Sequence, residues 1–142
     1  MLLYLDNCCF NRPFDNQTQL RISLESQAKL YVQQGIQNGT FDLLWSYILE
    51  HENSKNPFEL RRNSILGWKE LASFHIAESE DILTFGESFM KRGIKLYDAL
   101  HIACAYVGGC DCFLTVDKGI LSKQISEILI QNPLDFVRGL ED

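Results

Sequence analysis

Tyr97-Asp98-Ala99-Leu100-His101-Ile102-Ala103-Cys104-Ala105 and Cys112-Phe113-Leu114-Thr115-Val116-Asp117 are the two stretches whose reading decides the fold. The first is a run of small and apolar residues with one carboxylate at its start. It predicts a packed helix with Asp98 in the opening turn, where the helix dipole favours a negative charge. The second is a short apolar run closed by Asp117, which predicts a buried strand ending in a carboxylate. Near the N-terminus, Leu2-Leu3-Tyr4-Leu5 followed by Asp6 repeats that pattern.

Outward from these stretches the chain alternates between strand and helix signals. Arg12-Pro13 opens a loop, and a long amphipathic helix follows, with Leu20, Leu24, Ala28, Tyr31, Val32 and Ile36 on one face. Asn38-Gly39 marks the turn into a second buried strand over 41–45. Ser46 is an N-cap for a helix that stops before Asn56-Pro57, and Pro57 suits the first turn of another running to about 71. A short strand over 73–77 follows, then a helix opened by Ser79 and closed by Arg92-Gly93. Gly108-Gly109 ends the 97–107 helix. A strand over 111–115, a short helix over 118–122, a strand over 127–131 and a tail helix after Asn132-Pro133 complete the order. Short strands separated by helices imply a parallel sheet covered by helices on both faces. The sequence shows no repeat and no linker, so residues 1–142 are expected to form one domain.

Hydrophobic content of 46% with 23% charged residues fits a soluble globular chain, and no apolar run is long enough to span a bilayer. A start that runs straight into a strand, without a leader, sets the expectation of a cytoplasmic protein. Lys and Arg number 13 against 19 Asp and Glu, a net charge of -6, which argues against a sequence-reading DNA-binding module. It leaves room for a nuclease, because a metal cluster supplies positive charge where the phosphate sits. Cys8, Cys9, Cys104, Cys110 and Cys112 are odd in number and contain no CxxC pair. They read as small buried residues rather than a disulfide framework or a zinc knuckle.

In a parallel sheet, ligand sites form beyond the carboxyl ends of the strands. Asp6 and Asp117 both follow apolar strands, and Asp98 joins them if its helix starts at the same edge. Close carboxylates repel one another and their pKa values rise unless a cation compensates. Oxygen-only clusters suit Mg²⁺ or Mn²⁺, which activate water and stabilise charge on a phosphate during in-line hydrolysis. Singly, each acid has a plainer role: a strand-end turn for Asp6, a helix-dipole charge for Asp98, a cap for Asp117. A fourth ligand is expected from the 47–52 helix, where Glu52 shares the side of Ile48 and Leu49 and Glu50 points away to solvent. His101, one turn after Asp98, is either a neighbour of the metal site or proton shuttle, or a packed helix histidine. Arg12, Arg61, Arg62 and Lys118 are candidates for phosphate contact. There is no nucleophile elbow, P-loop or dinucleotide fingerprint.

With these residues in place, the chain resembles the PIN-domain family, which includes the VapC-like ribonuclease toxins of bacterial toxin–antitoxin pairs. The resemblance rests on Leu3 to Asn7, Ser46 to Glu52, Leu96 to Ala103, Phe113 to Asp117 and Ile128 to Phe136, and spans essentially the whole chain. It implies a Rossmann-like α/β/α sandwich with a central, mainly parallel five-stranded sheet. It implies Mg²⁺- or Mn²⁺-dependent cleavage of RNA, with Asp6, Glu52, Asp98 and Asp117 as acidic metal ligands and Thr115 assisting. Asn7 takes a lesser supporting place beside the first acid. An antitoxin protein and a homodimer are the partners it implies, with RNA as substrate and no membrane.

Two other readings stand beside a metal-dependent endoribonuclease. One is a catalytically inactive PIN-like module that binds RNA or protein partners, motivated by the acidic composition and by the wording of residues 45–57, which departs from the commonest toxin pattern. The other is a small metal phosphatase, since the ions perform similar chemistry there.

Overall fold

Leu2–Leu5 (β1) is the middle strand of a five-stranded sheet in the computed structural model, which describes residues 1–11 and 15–140. The loop expected at Arg12-Pro13, and Arg12 as a phosphate contact, lie outside the described residues. Leu3, Tyr4 and Leu5 are all fully buried. Successive strand side chains point to opposite faces, so helices must cover both sides of the sheet.

The remaining elements follow in chain order: Asn7–Asn11 (α1), Leu20–Gln37 (α2), Asp42–Ser46 (β2), Tyr47–Ser54 (α3), Glu59–Leu71 (α4), Phe74–Ile76 (β3) and Glu80–Lys91 (α5). Leu96–Val107 (α6), Cys112–Leu114 (β4), Lys118–Leu121 (α7), Ile130–Gln131 (β5) and Pro133–Gly139 (α8) complete the fold. The strands run in the order β3-β2-β1-β4-β5 and every pairing is parallel. In register, Leu3 faces Leu43 on one side and Cys112 on the other. The order reverses at β1, with β2 and β4 as its neighbours, which makes the carboxyl end of β1 the switch point where a cleft opens. Among the described residues, no helix is long and apolar enough to cross a membrane.

The expected caps are present. Ser46 Oγ accepts from Leu49 N (3.1 Å) and Ser79 Oγ from Ile82 N (3.3 Å). Gly39 and Gly93 take positive φ of 84° and 90° at the turns read there. Gly108 ends α6 against the sheet, so close that a Cβ would fall 2.5 Å from Leu44 Cδ2.

Two local expectations are corrected, and one helix was not anticipated. The helix α1 had no sequence signal beyond its polar edges. It follows directly from Asp6, whose carbonyl accepts Cys9 N (2.9 Å). Pro57 does not open α4, because Asn56 Oδ1 accepts Phe58 N (3.1 Å) and this turn delays the helix to Glu59. The buried face of α2 is rotated from the expected one. Ala28, Val32 and Ile36 are buried, but Leu20 and Tyr31 are exposed while Glu25 and Lys29 are buried in their place. Both charged residues find partners. Asn132 Nδ2 donates to Glu25 Oε2 (2.7 Å), and Lys29 Nζ lies 4.9 Å and 5.0 Å from the ring centroids of Phe10 and Trp68. With its amide oxygen turned inward, Gln33 accepts from Lys29 Nζ (2.6 Å) and Trp68 Nε1 (3.2 Å). A pattern that counts only apolar side chains misses such a face. All five cysteines are free thiols, Cys9, Cys104 and Cys112 buried in the core, as their small size suggested.

Candidate functional site

Because the sheet is parallel, the ends of β1, β2 and β4 deliver Asp6, Ser46 and Thr115 to one edge. Asp6 N donates to Leu114 O (2.9 Å), which continues the ladder one residue past β1 and fixes the start of the Asp6 side chain. Its carboxylate is buried and well supplied with donors. Oδ1 accepts from Asn7 N (2.8 Å), and Oδ2 accepts from Thr115 Oγ1 (2.9 Å) and from the Cys8 thiol (3.4 Å). The Thr115 hydroxyl in turn accepts from Asp117 N (3.1 Å), so one small side chain ties the end of β4 to the end of β1.

The helix α3 carries two acids in opposite directions. Glu50 is exposed and pairs with Lys69 (2.6 Å). Glu52 turns inward, where its Oε1 accepts from His101 Nε2 (3.1 Å). The same Nε2 is 3.9 Å from Asp6 Oδ1. Asp6, Glu52 and His101 each offer one ligand atom, and these atoms all lie within 4.8 Å of one another. That spacing suits a shared cation, and among the described residues it is the group of acids, histidines and cysteines that meets it; with Nε2 facing Glu52, the carboxylates are the members free to ligate.

Asp98 and Asp117 flank this group rather than enter it. Asp98 lines a hollow of about 340 Å³ with Glu52, Lys95, Leu96 and Tyr97, and a second of about 270 Å³ with Asp117, Lys95 and Lys123. Burial and the charges of Asp6, Asp117 and Glu52 push the Asp98 carboxyl up to about 6, against a smaller opposing effect of His101. Burial is the larger cause, and the mutual repulsion expected of converging acids without a cation adds to it. Asp117 also performs its plainer role: Oδ1 accepts from Gly119 N (2.7 Å) and Ile120 N (3.4 Å) and caps α7.

His101 is fully buried, and a line of hydroxyls behind it orients the ring. Tyr4 OH is 2.6 Å from His101 Nδ1 and 2.6 Å from Ser46 Oγ. Ser46 Oγ already accepts from Leu49 N, so in the neutral ring every group is satisfied in one direction. Ser46 donates to Tyr4, Tyr4 to Nδ1, and Nε2–H to Glu52. Burial opposes the imidazolium, but the hydrogen bond to Glu52 and the charges of Asp6, Glu52 and Asp98 outweigh it and raise the His101 pKa. Burial holds the Tyr4 phenol well above its usual range, so it stays a donor. The sequence reading left His101 open and overlooked Tyr4. The available signal was a tyrosine among aliphatic strand residues, since a buried phenol needs a partner.

The cations expected near phosphate divide. Arg61 Nη1 is 3.7 Å from Asp15 Oδ1 with its guanidinium over Phe58, and Arg62 Nη1 donates to Asn56 O (2.8 Å). Both are engaged in holding α4 and its neighbours. Lys118 begins α7, next to Asp117.

No protein-family model and no curated protein sequence matches the chain. Solved structures do. A chain of VapBC2 from Rickettsia felis, bound to a DNA fragment from its promoter, matches with a TM-score of 0.59 at 16% identity, covering 93% of this chain and 98% of that one. A chain of FitAcB from Neisseria gonorrhoeae matches at 0.59 and 14% identity, over 94% and 98%. A chain of VapBC-1 from nontypeable Haemophilus influenzae matches at 0.60 and 17% identity, over 94% and 98%. At these identities the likeness establishes the fold, and it is the α/β/α arrangement that the PIN-domain resemblance implied.

Proposed function

We propose that this chain is a metal-dependent endoribonuclease and the toxin member of a toxin–antitoxin pair. The observation that carries the reading is the meeting of Asp6 and Glu52 at the switch point of the sheet, with Asp98 and Asp117 flanking them. Hard oxygen donors in excess of cations suit Mg²⁺ or Mn²⁺, so the donor set fits the ion that the resemblance implies. Asp6, Glu52, Asp98 and Asp117 would hold it. When bound, such an ion supplies a Lewis acid for the scissile phosphate and a water of lowered pKa. The chain's own groups prepare the site. Thr115 O–H fixes one oxygen of Asp6, and Asn7 N–H fixes the other. His101 Nε2–H holds Glu52 toward Asp6, so the acids are pre-oriented rather than rotating freely.

The three matched structures come from VapBC and FitAcB, which supports an antitoxin as this chain's protein partner. RNA as substrate and a homodimer belong to the same proposal. The test is calorimetric titration with Mn²⁺ beside cleavage of a fluorescent RNA, for the wild type and for Asp6→Asn. Saturable binding and cleavage, both lost in the variant with its melt preserved, are expected. Cleavage that persists in EDTA, or in Asp6→Asn, would refute it.

A further inference from the structure

We infer that single-stranded RNA crosses this site over Asp98, its backbone gripped by Lys95 and Lys123 on one side and a base stacked on Tyr97 on the other. This rests on the ribonuclease reading above and specifies its substrate path.

The two hollows beside the acids differ in chemistry. The one shared by Asp98 and Asp117 is walled by Gly93, Lys95, Ser122 and Lys123. Lys123 reaches back across it from beyond α7: a Cβ on Gly93 would fall 3.1 Å from its Nζ. Gly93 has a φ of 90° and no side chain, which leaves that space to the ammonium. The hollow shared by Asp98 and Glu52 is walled by Leu96 and Tyr97. Lys95 and Asp98 line both, so they form the ridge between them.

What distinguishes the first hollow is that two lysines line it beside the acids. Arg21, Lys69, Arg92 and Arg138 are each paired with a carboxylate. Among the described residues several other cations, Lys95 and Lys123 among them, pair with no carboxylate, and of the lysines it is Lys95 and Lys123 that line the hollow shared by Asp98 and Asp117. In a chain of net charge -6, two unpaired ammonium groups beside a carboxylate cluster are placed for an anion that arrives there. Phosphodiesters on either side of a cleaved bond are such anions, and lysines bind them as point charges.

The second hollow offers a ring. Tyr97 sits in the first turn of α6, next to Asp98, and is half-buried. Its hydroxyl is tied to α3 by Lys55 Nζ (3.0 Å) and His51 Nε2 (3.1 Å). Anchoring the polar tip fixes the ring, and a fixed ring beside a phosphate site is a platform for an unstacked base. Duplex RNA keeps its bases paired and stacked, so this geometry selects single strands.

The test is steady-state cleavage of a fluorescent single-stranded RNA with Mn²⁺ across a salt series. Lys95→Ala and Lys123→Ala are expected to raise KM about tenfold with kcat little changed. Each should flatten the slope of log KM against log salt by about 0.7, the value for one phosphate contact on a single strand. Tyr97→Leu is expected to raise KM at least about fivefold, and Tyr97→Phe to recover most of that loss, because stacking needs only the ring. Lys91→Ala, on the exposed end of α5, serves as the control. Lysine variants that lower kcat at unchanged KM and salt slope would show that these side chains only arrange the acids, which overturns the path while leaving the nuclease reading intact. A wild type that binds Mn²⁺ and cleaves no RNA would overturn both.

Discussion

Removing one oxygen atom from the middle of the sheet should be felt at its edge. Tyr4→Phe keeps the ring, and with it the stacking on Phe113 at 5.3 Å, but deletes the hydroxyl that joins Ser46 to His101. Ser46 has other recourse: it keeps the Leu49 N–H and can turn its own O–H toward the Cys104 thiol. His101 has none, since its ring is fully buried and Tyr4 is the partner of Nδ1. A stranded buried acceptor costs about 1–3 kcal/mol. For a domain of this size that is a fall in Tm of roughly 3 to 10 °C. Thermal melts of the metal-free protein measure the first consequence. The ¹⁵N spectrum of His101 measures the second. Nε2 should stay protonated through its bond to Glu52, while Nδ1 moves toward the resonance of an imine nitrogen without a donor. Loss of orientation should also weaken Mn²⁺ binding, because Glu52 is held by this imidazole. A melt within about 1 °C of wild type together with an unshifted Nδ1 resonance would refute the assigned direction of the hydroxyl line.

Asp98→Asn should raise the Tm of the metal-free protein at pH 7.5. The Asp98 pKa is pushed up to about 6, so the folded state binds a proton more tightly than the unfolded chain and loses stability as pH rises through that value. The difference between variant and wild type should therefore be full above about pH 6, shrink as the pH falls from there, and vanish below the ordinary value of 3.8 in melts across a pH series; a difference that does not change with pH would contradict the raised pKa. Lys29→Met should stabilise at neutral pH. Burial brings the Lys29 pKa down to about 7, so the stability it contributes is full above its ordinary range, is lost as pH falls toward 7, and is flat below. Denaturant titrations from pH 7 to 10 should show a rise in wild type that the variant lacks. Gly35→Ala should cost about 1–3 kcal/mol, since its Cβ would meet the Phe41 ring at 2.4 Å; an unchanged denaturation midpoint would show that the ring swings clear.

Much of this protein was legible in one dimension. Apolar runs closed by Asp6 and Asp117, the caps at Ser46 and Ser79, and the small-residue helix begun by Asp98 are local features whose physics is contained in a few neighbouring residues. That Glu52 turns inward and Glu50 outward was also readable, because a helix face is set by spacing alone. The rest depended on which partners the chain brings from a distance. The buried face of α2 turned toward Glu25 and Lys29 because Asn132, Phe10 and Trp68 wait there, from elements far away in sequence. His101 is separated from Glu52 by 49 positions and from Tyr4 by 97, so no local pattern could say that its two nitrogens are divided between a carboxylate and a phenol. Periodicity reports where a side chain points, and only packing reports what stands in front of it. The sequence by itself determined the parallel α/β order and the acids at its edge. The tertiary structure decided that Asp6, Glu52 and His101 meet within a cation's reach while Asp98 and Asp117 stand beside them. That outcome depends on the register of β1 against β4 and on the seat of α6 against the sheet, both of which are sums of long-range contacts.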